Sequence, residues 1–208
     1  MSKNVEDNLM EMNVFELAYQ QSGYTQIAGI DEAGRGALAG PVIAAAVILP
    51  THCSIEGLRD SKQLSPKQRA YLFDEIHDVA VAVGIGSVDH QVIDRLNILE
   101  AALLAMREAV EKLTPSPDYI LVDGLHLPEV GIVGEAIPKG DSKSYSIAAA
   151  SIIAKVTRDQ LMIELDPIYP NYGFSRHKGY PTSQHRQAIA QFGASDIHRH
   201  TFKLLPDD

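Results

Sequence analysis

Between residues 27 and 50 the chain holds two apolar runs, IAGID and PVIAAAVILP, parted only by the glycine-rich EAGRGALAG. Runs rich in Ile, Val and Ala suit buried strands, and so short a link makes them neighbours with a hairpin-like connection. Buried strands need covering layers, and the rest of the pattern supplies them. Residues 65–80, SPKQRAYLFDEIHDVA, carry Ser65 as an N-cap, Pro66 at the first helical position and Tyr71, Leu72, Ile76 and Val79 at helical spacing. VAVGIGSV at 81–88 reads as a third strand, and helical periodicity returns from Asp89 to Leu113. DYILVDG at 118–124 is a fourth strand and GIVGEAI at 131–137 a fifth, before the alanine-rich helix Ser144 to Leu165. A further helix starts near Pro181 or Thr182, after the glycine-broken YPNYGFSRHKGYP. The order implies a layered α/β fold with a mixed sheet and a helical C-terminal part.

The chain's 208 residues are enough for one main domain. Residues 1–24 are expected to be an extension, helical or loosely ordered, and 25–208 the domain proper. The acidic N-terminus lacks the basic start and apolar middle of a secretory signal, and no apolar run is long enough to span a bilayer, so a cytoplasmic protein away from membranes is expected. The single cysteine, Cys53, rules out an intramolecular disulfide and thiolate-rich zinc sites, and reads as inert packing. A net charge of -9 argues against indiscriminate binding to nucleic acid, yet residues 139–203 hold nine Lys/Arg against five Asp/Glu. An acidic protein can carry a basic face.

Asp31 and Asp123 each close an apolar strand, where a lone buried carboxylate is costly. If the two strands are neighbours, their carboxylates meet at one rim and need a proton or a cation. Oxygen ligands without thiolate favour Mg²⁺ or Mn²⁺. Glu32 follows Asp31 directly and serves the same site only if the strand stops there. Asp159, in KVTRD, could bring a fourth carboxylate, or could simply pair with Lys155 four residues earlier. The glycines at 34, 36 and 40 do not match a dinucleotide-binding turn: they run G-x-G-x-x-x-G, a strand follows, and the acids upstream would repel a pyrophosphate.

The segments GIDEAGRGALAGPV, DSKQLSPKQR, LNILEAALLAM, VDG, AAASIIAKVTRD and GFSRHKGYPT, in this order, closely resemble the ribonuclease HII family from residue 26 to 202. The resemblance implies a ribonuclease H-like fold and an endonuclease that hydrolyses the RNA strand of RNA/DNA hybrids. It also implies incision on the 5′ side of single ribonucleotides in duplex DNA, leaving 3′-OH and 5′-phosphate ends. Asp31, Glu32, Asp123 and Asp159 are then the catalytic metal ligands, holding two divalent ions for in-line hydrolysis. Gly34, Arg35 and Gly36 read the ribose 2′-OH largely with backbone groups, and Tyr180 stacks on the deoxyribose that follows. Lys62, Lys143 and Lys178, with Arg176 and His177, are expected phosphate contacts. A monomer is implied. One departure stands in the tail, IHRHTF, where relatives carry a second basic residue: a contact through His200 is weaker and pH-dependent. A binding module without catalysis would gain nothing from clustered acids beside a phosphate backbone, and a DNA-directed nuclease of the same fold would leave the Gly-Arg-Gly turn without a purpose.

Overall fold

The computed structural model describes residues 12–59 and 61–205. Residues 1–11 of the expected extension lie outside them. The elements run α1 (Val14–Gln21), β1 (Ile27–Ala33), β2 (Val42–Ile48), α2 (Pro66–Val79), β3 (Ala82–Val88), α3 (His90–Leu96), α4 (Ile98–Glu111), β4 (Tyr119–Asp123), β5 (Gly134–Ile137), α5 (Tyr145–Leu165), α6 (Phe174–His177) and α7 (Ser183–Phe192). The five strands form one mixed sheet in the order β3-β2-β1-β4-β5. β1 and β2 are the expected antiparallel neighbours, whereas β4 joins the other side of β1 in parallel, with Ile30 opposite Val122. The parallel pairing brings the C-terminal ends of β1 and β4, and hence Asp31 and Asp123, to the same edge.

Alternation along the strands splits the core in two. Ala28 and Ile30 of β1, Ala44 and Ala46 of β2, and Ile120 and Val122 of β4 pack on the face covered by α4, through Ala101, Ala105 and Ala109. Ala33, Ala45 and Val47 face α5, where Ala148, Ala149 and Ile152 meet them, with Leu72 and Ile76 of α2 alongside. α5 lies unusually near the sheet because β1 offers Gly29: a Cβ there would stand 2.0 Å from the Ser146 carbonyl carbon. Small residues on both partners let the long helix approach closely the strand that carries the acids.

Capping sets the helix starts. Ser65 makes the reciprocal capping box with Gln68, as its sequence predicts, and Ser144 and Thr182 accept from Ile147 N and His185 N. The helical pattern expected over 89–113 is broken at Asn97, which takes φ 81° and whose side chain accepts from Leu99 N and Glu100 N. Asparagine tolerates the left-handed region and caps well, so the apolar period continues while the helix axis does not. α1 is tied in by Glu16, whose Oε1 accepts from Ser144 Oγ at 2.6 Å, Ser146 N at 2.9 Å and Ser146 Oγ at 2.7 Å, at the N-terminus of α5. No helix among the described residues is long and apolar enough to cross a membrane.

Candidate metal centre and its basic flank

Three carboxylates meet at the edge where β1 and β4 end. One oxygen each from Asp31, Asp123 and Asp141 lies within 4.8 Å of the other two. Asp31 and Asp141 are each only 4% exposed. Asp31 Oδ1 accepts from Glu32 N at 2.7 Å, and Asp123 Oδ1 accepts from Gly140 N at 2.6 Å, which ties the turn at Gly140–Ser142 to the end of β4. Asp141 Oδ2 accepts from Lys62 Nζ at 2.7 Å, so a largely exposed ammonium reaches over the cluster. Burial, then the negative charges of Glu32 and Asp123, hold the Asp31 carboxyl well above its ordinary range. Burial and the neighbouring Asp141 raise Asp123 in the same direction. Crowded, buried carboxylates of this kind ask for positive charge, and an all-oxygen donor set fits a hard divalent cation.

Glu32 lies beside this group rather than inside it. β1 does not stop at Asp31 but continues two residues to Ala33, with Glu32 paired opposite Ala44. The Glu32 carboxylate meets Arg35 Nη1 at 3.1 Å; burial raises its pKa while Arg35 opposes the shift, and Asp123 adds to it. Asp159 is not brought into the cluster at all. It bonds Lys155 Nζ at 2.7 Å one turn away on α5, the local pairing that its sequence spacing allows. The carboxylate that completes the group, Asp141, was not foreseen from the sequence. The signal was present in PKGDSKS, an acid between a strand parallel to β4 and the cap of the longest helix, but its use required knowing that β5 lies beside β4.

The glycine turn is held from behind by two buried guanidiniums. Arg158 of α5 donates to the carbonyls of Pro41 at 3.0 Å, Ala39 at 3.1 Å and Lys178 at 3.0 Å. Arg199 of the tail donates to Gly40 O and Arg35 O, each at 3.0 Å. Both side chains are 0% exposed. Burial lowers Arg158, and burial together with the nearby Arg158 charge pushes Arg199 down to about 9. Nη2 of Arg199 is buried without a hydrogen-bond partner among the described residues. Gly34 takes φ 100°, and a Cβ there would stand 2.0 Å from Arg158 Nε, so the clamp and the bare backbone require each other. In a trans peptide the carbonyl and the next N–H point opposite ways. With the Arg35 carbonyl turned inward to Arg199, the Gly36 N–H faces outward, where residues 35 and 36 are exposed.

The other expected contacts surround this turn. The Tyr180 ring is partly exposed between Lys155 Nζ, 5.3 Å from its centroid, and Arg158 Cζ at 5.2 Å. Lys178 adopts φ 53° and bonds the Ser175 carbonyl, and burial lowers its pKa. Lys143 is exposed and donates to Pro138 O at 2.7 Å, and Arg176 is exposed as well. His177, expected among the phosphate contacts, is instead buried, with Nε2 2.8 Å from Tyr172 O and Nδ1 accepting from Gly179 N. His200 is exposed, and its backbone N–H donates to Asp94 at 2.8 Å. Cys53 is half-buried, and burial raises its thiol pKa, which fits inert packing.

The Ribonuclease HII family model matches residues 28–205. Among curated proteins, ribonuclease HII of Geobacter sulfurreducens is 59% identical over 189 residues, covering 91% of this chain and 87% of that protein. Ribonuclease HII of Acetivibrio thermocellus is 56% identical over 193 residues, covering 93% and 75%. Among solved structures, ribonuclease H2 from Pyrococcus horikoshii superposes with a TM-score of 0.72 at 31% identity, covering 86% of this chain and 95% of that one.

Proposed function

Because this chain belongs to the ribonuclease HII family and is a nuclease of the ribonuclease H type, we propose that it incises duplex DNA on the 5′ side of embedded ribonucleotides, as well as cutting the RNA strand of hybrids. The products carry 3′-OH and 5′-phosphate ends. The observation that carries this reading is the convergence of Asp31, Asp123 and Asp141 beside a glycine turn whose Gly36 N–H faces outward.

Asp31, Asp123 and Asp141 would hold divalent metal, Mg²⁺ or Mn²⁺, with Glu32 as the fourth carboxylate reaching in from the adjacent position. When bound, a pair of such ions supplies the charge that activates a water and stabilises the leaving 3′ oxygen. The protein's own groups do the rest. Gly140 N–H and the Ser151 hydroxyl orient Asp123 and Asp31 by hydrogen bonds to their charged forms. Lys62 neutralises a non-bridging phosphate oxygen near Asp141, and Lys143 and Lys178 hold the backbone on either side. The turn of Gly34, Arg35 and Gly36, led by its outward Gly36 N–H, meets the ribose 2′-OH, a contact that a deoxyribose cannot return. Tyr180 takes the next sugar, and a deoxyribose leaves room for its ring. A monomer acting in the cytoplasm belongs to the same proposal.

The test is cleavage of a duplex DNA containing one ribonucleotide, beside an all-DNA control, with Mg²⁺ or Mn²⁺ supplied. Incision of the first alone, at the 5′ side of the ribonucleotide, is expected. Cutting of both duplexes, or of neither, would overturn the reading.

A further inference from the structure

Behind Tyr180 lies a group of buried imidazoles that the proposed chemistry does not use. His185 and His198 are 0% exposed and His177 is 8% exposed. The His177 and His185 rings stack at 4.3 Å, and Phe174 packs edge-on to His185 at 5.5 Å. Their tautomers are dictated by backbone donors, which can only donate. Ser195 N–H gives to His198 Nδ1 at 2.8 Å, so a neutral His198 carries its proton on Nε2. That nitrogen lies 3.0 Å from His185 Nε2, which must therefore accept, leaving the His185 proton on Nδ1, 3.0 Å from the Tyr180 carbonyl. By the same reasoning Gly179 N–H gives to His177 Nδ1, and His177 Nε2 donates to Tyr172 O.

We propose that the chain Ser195–His198–His185, with His177 beside it, is a neutral imidazole relay that positions Tyr180, and that it thereby sets the preference for a ribonucleotide followed by DNA over a continuous RNA strand. The inference rests on the reading of Tyr180 given above. The turn that carries Tyr180 belongs to no helix or strand, since α6 ends at His177 and α7 starts at Ser183. Its carbonyls at Lys178 and Gly179 accept from Arg158 and Leu38 N and its Tyr180 N–H donates to His177 O, while Gly179 N–H and Tyr180 C=O bond imidazoles on either side of the ring-bearing residue. The rings hold their neutral state: burial pushes His185 and His198 down to about 4, and His177 below its ordinary value. The charged groups that face them are few. The main electrostatic neighbours are His177 and His198 for His185, His200, His90 and His177 for His198, and Asp166 and Lys178 for His177. A proton added to either member of the central pair sets two N–H groups against each other across the same 3.0 Å.

These are positioning residues, and the test reads selectivity rather than activity alone. kcat and KM are measured for wild type, His185→Ala and His185→Asn on a duplex with one ribonucleotide and on a continuous RNA/DNA hybrid. In His185→Ala the ratio of kcat/KM values is expected to fall about tenfold toward that of Tyr180→Ala, less than the ~hundredfold that a misplacement of 1 Å can cost. His185→Asn keeps an amide N–H where Nδ1 stood and is expected to restore most of the ratio. A ratio unchanged in His185→Ala, or no better in Asn than in Ala, overturns the relay. Failure of wild type to cut either substrate overturns the functional reading with it. Should the variants not fold, ¹⁵N NMR of the wild-type histidines decides: neutral Nδ1–H for His185 and Nε2–H for His198 are expected, and the opposite tautomers or a charged ring at pH 7 refute the proposal.

Discussion

The acidic rim and the tail that braces the glycine turn treat buried charge in opposite ways. At the rim, three carboxylates crowd together, and Asp31 and Asp123 are pushed toward their protonated forms. At the brace, two guanidiniums are buried as completely, yet five of their six nitrogens donate to backbone carbonyls. The difference separates reactivity from position. Charge left in need of a partner can bind an ion and a phosphate, whereas charge already satisfied can only hold the chain still.

The contrast is broken most severely at the rim. Asp31→Asn and Asp123→Asn are each expected to cut cleavage by about a thousandfold or more, while substrate retention in a gel-shift assay stays near that of wild type. Asp159→Asn, which weakens the ion pair with Lys155, is expected to keep activity within about tenfold. Near-full activity in either of the first two variants would remove that residue from the centre, and a loss as deep in Asp159→Asn would restore it as a ligand.

Next in size is the brace. Arg158→Met leaves one buried and two part-buried carbonyls without their donor and is expected to lower unfolding free energy by about 3 kcal/mol, read by denaturant titration of the metal-free protein. A loss below about 1 kcal/mol would mean that the turn does not depend on this guanidinium.

The smallest effect lies in pH, where the two regions carry opposite signs. Asp31 and Asp123 have folded pKa values above the ordinary 3.8, so the folded state binds more protons and their contribution falls as pH rises through the folded value. His185 and His198 lie at about 4, below the ordinary 6.5, so the unfolded state binds more protons and stability is lost as pH falls from about 6.5 toward 4. With chelator present, Asp31→Asn should steepen the decline of stability on acidification, and His185→Asn should flatten it. Identical slopes in both variants would contradict the assignment of either region.

The sequence made the rim partly legible and the brace hardly at all. Asp31 and Asp123 stand out because an acid at the end of an apolar run breaks a strong pattern, and parallel pairing of the two strands was enough to join them. Asp141 hides in a turn of three residues whose location depends on β5, the shortest strand. Arg158 and Arg199 look like any basic residues of a solvated surface, because nothing local records that each will lie beneath a loop more than 100 positions away. The split of one expected helix at Asn97 was equally concealed, since the apolar repeat runs on across the cap.

Arg199 gives the protein an order of maturation. Its side chain ties down the carbonyls of Arg35 and Gly40, so this turn is finished by a residue 159 to 164 positions later. A nascent polypeptide that has emerged only through α7 already possesses every acid of the rim and the Arg158 half of the brace, but the Arg35 carbonyl of the glycine turn still lacks its donor. On the function proposed above, discrimination between ribose and deoxyribose would be withheld until Arg199 has joined the fold, and a product that stops short of it would carry the acids with only half of the brace.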